Sequence, residues 1–337
     1  MASCSTCKIA TRSYDGFGHQ LEARLSCIAA AAQLRDAVYV HHQFLCGANS
    51  CKRPHRHQED ISLLERFVGL STQFEAVLSN DTRYRNEPRS HAAPAWFPGP
   101  KKLGPLCRIW AQSETGPPTY WLAGMHYNRS AYCCRSDTIY MADSCFDWLY
   151  CHPRWPQNFD AAAARRRYDA TPKPDPRWLD GSRLSSVGWG ATVAVHFRAN
   201  DVGARGLRVD YYVRAINALR QELTNTSNRW GGRPPIFRLQ TDATSAQFAG
   251  LAPILAMGDV VLDAAANSSV SLTFHRMVVA DALIMSQSSL SQAAGLLRVA
   301  VADDQSTIFP GCWRSERRRH PTWREFACID RGPPRAG

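Results

Sequence analysis

Short apolar runs alternate with amphipathic stretches along much of this chain. Near the start, Lys8–Thr11 reads as a strand and Asp15–Gln20 as a turn-forming loop with two glycines. Leu21–Leu34 follows as an alanine- and leucine-rich helix, and Ala37–Val40 as a second strand. Strand, helix, strand in that order implies a parallel pair. Ile61–Val68 is a further predicted helix. Residues 85–120, rich in Pro, Gly and Arg, form a long irregular connection. Residues 133–160, with Cys133, Cys134, Cys145, Cys151 and several Trp, show no assignable period.

The second half is more regular. Strands are predicted at Thr192–Phe197, Ile236–Leu239, Val260–Leu262, Ala282–Met285 and Val299–Val301. Helices are predicted at Tyr211–Leu223, Ala246–Met257, Thr273–Ala280 and Gln292–Arg298. Such alternation predicts an α/β fold with a doubly wound parallel sheet.

Length changes this picture first: 337 residues exceed what one core usually holds, so two domains are expected. The Pro-, Asp- and Ser-rich stretch 170–186 marks the boundary. This gives an N-terminal domain 1–185 with irregular Cys/Trp/Pro-rich insertions, a second domain 186–310 and a basic tail 311–337. Trp313 and Trp323 are expected to pack that tail back on the body.

The net charge of +11 favours an anionic partner: nucleic acid, an acidic membrane or a phosphorylated small molecule. Arg165–Arg167 and Arg317–Arg319 read as solvated surface. No aromatic and basic residues interleave as in RNA-binding motifs, so no nucleic acid is expected. The longest apolar stretch, Leu25–Leu34, is too short to span a bilayer, and no secretory leader is expected at Met1–Cys4. Twelve cysteines and acceptor sites at Asn80, Asn128, Asn225 and Asn267 lean towards a secretory or Golgi lumen. The missing leader keeps a cytoplasmic location open.

Four segments carry candidate chemistry. His196-Phe197-Arg198-Ala199-Asn200-Asp201 follows a strand directly, where doubly wound sheets bind ligands. Arg198 there can fork onto a phosphate, or simply pair with Asp201 at a strand end. Ser286–Ser291 stands between strand and helix, as an anion site or as plain N-capping by Ser288 or Ser289. Gly16 and Gly18 allow close backbone approach to a ligand, or a tight turn. Asp242, after Thr241, can contact a ribose or base, or cap the next helix. Cys46, Cys51, His55 and His57 fit no familiar zinc spacing, and Cys4-Ser5-Thr6-Cys7 reads as a surface pair.

Taken in order, these segments resemble the fucosyltransferase superfamily. His196, Arg198 and Asp201 match its H-x-R-R-x-D donor motif, with Ala199 replacing the second arginine. Asp15–Gln20 is similar to its glycine-rich N-terminal loop, with His19 where Asn is usual. Phe274–Leu297, including Ser288-Ser289-Leu290-Ser291, resembles its last motif. The resemblance implies a GT-B-like fold of two facing Rossmann-like domains. It also implies inverting, metal-free transfer from GDP-fucose to a glycan or glycoprotein hydroxyl, with no further cofactor.

Under that reading Gly16, Gly18, His196, Arg198, Asp201, Asp242, Ser288, Ser289 and Ser291 bind the donor. Arg198 meets the leaving charge, and His19 or Glu22 serves as base. Another nucleotide sugar, a non-catalytic carbohydrate- or nucleotide-binding relative, and a basic nucleic-acid-binding protein are the competing readings.

Overall fold

The computed structural model describes residues 7–11, 16–33, 37–42, 44, 61–71, 73–74, 76–77, 84–85, 119–122, 125–128, 139–142, 156–157, 159–173, 190–199, 206–225, 232–243, 245–263, 269–299, 306–313 and 319–328. They fall into two compact units, one up to Thr171 and the other from Pro172 onward.

The first unit runs β1 (Cys7–Thr11), α1 (Phe17–Gln33), β2 (Ala37–Tyr39), β3 (His41–His42) and α2 (Ile61–Phe67). It continues with β4 (Ala76–Val77), β5 (Tyr84–Arg85), β6 (Thr119–Leu122), β7 (Met125–Asn128), β8 (Ile139–Ala142) and α3 (Ala161–Asp169). Its main sheet has the order β2-β1-β8-β5 and is parallel throughout. β3 and β4 form a parallel pair and β6 and β7 an antiparallel one.

Every residue of α1 from Gln20 to Cys27 is buried, so this is a core helix rather than a surface one. It takes two charges inside with it. Buried Arg24 donates to the Gln20 carbonyl at 3.1 Å and lies 4.5 Å from the Phe44 ring centre. Burial pushes its guanidinium down to about 10, against the pull of Tyr39 and Glu65. α3 begins where the Asp160 carboxylate accepts from Ala163 N–H at 2.7 Å, an N-cap that satisfies an orphan donor. It docks through buried Tyr168, edge-on to Phe67, and through the Thr171 hydroxyl on the Phe67 carbonyl. The arginine run on α3 is therefore not merely solvated. Arg165 pairs with Asp169 at 2.8 Å, and Arg167 lies over Phe74.

The second unit runs β9 (Thr192–Phe197), α4 (Val209–Asn225), β10 (Ile236–Thr241), a 3₁₀ segment (Ser245–Leu251) and α5 (Ala252–Leu255). After these come β11 (Val260–Asp263), α6 (Val270–Val279), β12 (Ala282–Ile284), α7 (Ser289–Arg298), β13 (Thr307–Pro310) and β14 (Arg324–Phe326). The six strands lie in the order β11-β10-β9-β12-β13-β14, all parallel. Counted from β9, that order is 3-2-1-4-5-6, the doubly wound dinucleotide-binding arrangement. The chain reverses direction across the sheet between β9 and β12.

The two sheet faces differ in chemistry, because strand side chains alternate. Val193, Val195, Phe237, Leu239, Ala282, Ile284 and Ile308 pack on Tyr211, Tyr212, Ala215, Ile216 and Leu219 of α4. The opposite face carries His196 and Gln240, which are register partners, and lies under α7. The contact there is close: a Cβ on Gly295 would meet Met285 Cε at 2.1 Å and Trp323 at 2.9 Å. Buried Arg298 closes the corner after α6. It donates to the carbonyls of Met277, Ala280 and Asp281.

Two parallel-sheet α/β units therefore meet the expected fold class. Four local expectations need correction. α1 begins at Phe17, so the supposed loop to Gln20 is already helix. The helix expected at Ala246–Met257 splits in two, because Pro253 has no N–H to give and restarts the helix in its first turn. No strand begins at Val299, which is the C-cap of α7; residues 300–301 lie outside the described residues. The expected tail is part of the fold: β14 extends the sheet, and Cys312 is bonded to Cys328. Trp323 packs back as expected, buried and stacked on Phe309.

Candidate functional site

Parallel strands send all their carboxyl ends to one edge, and ligands of doubly wound sheets bind there, outside the point where strand order reverses. In the second unit that point lies between β9 and β12. Arg198 is the first residue beyond β9, and Ser286 is the second residue beyond β12. A hydrogen bond of 2.9 Å joins Ser286 Oγ to His196 Nδ1 and ties the two strand ends together.

The loop after β9 is held from two sides. Asp242, just beyond β10, accepts from Ala199 N–H at 2.6 Å. The buried Tyr212 phenol is hydrogen-bonded to the Arg198 backbone, and burial raises its pKa far above the ordinary value. It is a neutral partner at any physiological pH. Arg198 itself is half-buried. The Ala199 side chain packs against the apolar core, and its backbone N–H is the group that Asp242 holds.

The serines divide by role. Ser288 is the N-cap of α7; its hydroxyl accepts from Leu290 N–H at 3.2 Å. Ser291 is fully buried, and its hydroxyl is spent on the carbonyls of Ser286 and Ser288. Neither is placed to bind a donor, which corrects the expectation for both. Ser289 is half-exposed, and its hydroxyl and N–H make no hydrogen bond among the described residues. It stands at a helix N-terminus, where partial positive charge collects. His196 also changes role: with only 7% exposure it is a bridge beneath the crevice rather than its lining.

Asp242 is exposed and fastens the β9 loop. Asp201 lies outside the described residues, as do Asp15, Cys46, Cys51, His55 and His57. Among the described residues no cluster of His, Cys, Asp and Glu could hold a metal, and no helix is long and apolar enough to cross a membrane.

In the first unit, Gly16 precedes α1 with open space where a side chain would be. Gly18 is buried within the first helical turn, so only Gly16 keeps a loop role. His19 is half-exposed on that turn, whereas Glu22 is 0% exposed. A fully buried carboxylate cannot receive an acceptor hydroxyl, and Glu22 is withdrawn as a base. Two residues went unseen in the sequence reading. Ser286 stands in a serine run whose members look alike in sequence, and Tyr212 gives no signal, since a core tyrosine on a helix looks like any other.

No family model matches the sequence, and no curated protein is similar to it. Solved structures are similar at low identity. NodZ α-1,6-fucosyltransferase soaked with GDP-fucose aligns over 87% of this chain and 93% of its own, at 16% identity and a TM-score of 0.43. POFUT1 in complex with GDP aligns over 91% and 98%, at 10% identity and a TM-score of 0.43. The E. coli heptosyltransferase WaaC with ADP aligns over 95% and 92%, at 13% and 0.36. Identities and TM-scores this low fix no residue's role.

Proposed function

We propose that the chain is an inverting glycosyltransferase that moves fucose from GDP-fucose to a hydroxyl of a glycan or glycoprotein, without a metal. The observation that carries this reading is the crevice between β9 and β12. There the Arg198 loop and the start of α7 are joined by the His196–Ser286 hydrogen bond. The motif resemblance supplies the donor. A helix N-terminus and an arginine, on the loops after the neighbouring strands β12 and β9, suit a diphosphate, and Asp242, one strand over, suits the nucleoside.

The acceptor oxygen attacks the anomeric carbon as the bond from that carbon to the β-phosphate oxygen breaks. The electron pair leaves on the nucleoside diphosphate, and the acceptor proton passes to a base. Arg198 and the Ser289 N–H meet the charge on the leaving group. Cys27, Cys312 and Cys328 are all disulfide-bonded, which favours a secretory compartment.

The alternative, another nucleotide sugar on the same site, is favoured by Ala199, which leaves one motif arginine where two are usual. A thermal-shift panel of nucleoside diphosphates followed by nucleotide-release assays on the matching sugars separates the two. GDP should raise the melting temperature by mass action, and GDP-fucose with an acceptor should release GDP. Stabilisation by a different nucleotide alone would move the assignment to the alternative.

A further inference from the structure

We propose that Trp313 is the platform on which the donor's sugar ring stacks. The proposal rests on the donor-site reading above and adds a specificity residue to it.

β13 is parallel to β12 and its direct neighbour, so its carboxyl end opens on the same edge as Ser286 and Ser289. One strand spacing of ~5 Å separates β12 from β13. Just past that end the chain turns back: Trp313 N–H donates to the Pro310 carbonyl at 3.1 Å. The indole therefore stays at the edge. Its ring stacks on buried Phe309, with centroids 5.5 Å apart and planes 14° from parallel. Ile308 belongs to the core on the α4 side, so Phe309 takes the other face, where Trp323 also stacks on it and lies against Gly295 of α7. That is the face of His196 and of α7.

Trp313 is held firmly on this edge. Cys312 is bonded to Cys328, and Gln287 Nε2 lies 3.3 Å from Cys312 Sγ. Gln287 sits between Ser286 and Ser288, so the Trp313 turn is fastened to the serine loop itself. The indole remains half-exposed, and its N–H makes no hydrogen bond among the described residues. A large rigid ring with few torsions to freeze is well suited to stacking.

Strand order decides which part of the donor meets it. Along the edge the sequence is β10, β9, β12, β13. With the nucleoside towards Asp242 and the diphosphate between Arg198 and Ser289, the sugar extends towards β13. The apolar C–H face of a pyranose is the chemistry an indole accepts.

The test compares dissociation constants for GDP and for GDP-fucose in the full chain and in Trp313→Ala and Trp313→Phe variants. Trp313→Ala should weaken GDP-fucose roughly fivefold to tenfold and leave GDP within about twofold, with Trp313→Phe in between. Equal weakening of both ligands would make Trp313 a nucleobase or structural residue, and no change in either would remove it from the site. Both outcomes overturn the proposal while leaving the donor site standing. If the unaltered protein binds neither ligand, or GDP without GDP-fucose, the donor reading falls first and the sugar platform with it.

Discussion

Arg198 carries the charge that the proposed chemistry requires. Backbone N–H groups at α7 offer only partial charge, and the apolar methyl of Ala199 cannot share the load. Removing one preorganised donor from a comparable anion-stabilising site costs roughly 10²–10³ in rate. Arg198→Ala should lose at least that in nucleotide release while circular dichroism stays unchanged. Arg198→Lys should recover little, because an ammonium lacks the planar fork. Near-normal turnover in a folded Arg198→Ala protein would put the site elsewhere.

Ser286 makes a different demand. Its hydroxyl is the partner of buried His196 Nδ1 across the switch point, so Ser286→Ala removes a buried side-chain hydrogen bond. The expected loss is about 1–3 kcal/mol in chemical denaturation, with weaker GDP binding as the two strand ends lose their tie. The strand-end positions of Arg198 and Asp242 were legible in the sequence because each follows an apolar run that ends in polar residues. The split among the serines was not. A hydroxyl that caps, one that is spent on carbonyls and one that faces solvent look alike until the helix phase is known.

Elements were legible where apolar period and turn chemistry agreed, as at β9, β10 and α4. They were misread where a tertiary contact decided. β14 has three residues, two of them charged and exposed. No period marks it, and its place depends on the Cys312–Cys328 bond and on Arg324 pairing with Glu222. That bond closes a loop of 16 residues, for which chain entropy alone gives about 3 kcal/mol. Cys328→Ser, studied by thermal denaturation, should cost about 2–4 kcal/mol. It should also loosen the Gln287 contact, seen as weaker GDP stabilisation of the folded protein.

Gly295 makes the same point within a helix. Propensity alone says that Gly→Ala inside α7 should stabilise by up to about 1 kcal/mol. Packing says the opposite. The new methyl would meet Trp323 at 2.9 Å, and Trp323 is itself stacked on Phe309 and cannot swing aside freely. Overpacking typically costs 1–3 kcal/mol, so Gly295→Ala should lower the melting temperature; an increase would show that Trp323 gives way.

On the scale of the whole molecule, the strand–helix alternation of the second unit announced a doubly wound parallel sheet but not its last two strands, β13 and β14. The first unit keeps its polar atoms buried in ways no pattern announced. His41 is the clearest case. It lies beneath the surface with Nδ1 3.0 Å from the Tyr39 hydroxyl and Nε2 3.3 Å from Glu65 Oε1. Glu65 in turn accepts from Phe44 N–H, and the Arg24 guanidinium is packed on the Phe44 ring. Burial holds the His41 imidazole below its ordinary 6.5, with the Arg24 charge adding to that and Glu65 opposing it. The unfolded chain therefore takes up this proton before the folded one does. Stability from His41 is complete above about pH 6.5 and is lost as pH falls below it, at no more than about 1.4 kcal/mol per pH unit for one proton. His41→Asn should flatten that slope between pH 6.5 and 5 in denaturation midpoints, by comparison with the unaltered protein. An unchanged slope would mean that the buried Tyr39–His41–Glu65 chain takes up its proton in the folded state as easily as in water, contrary to its burial.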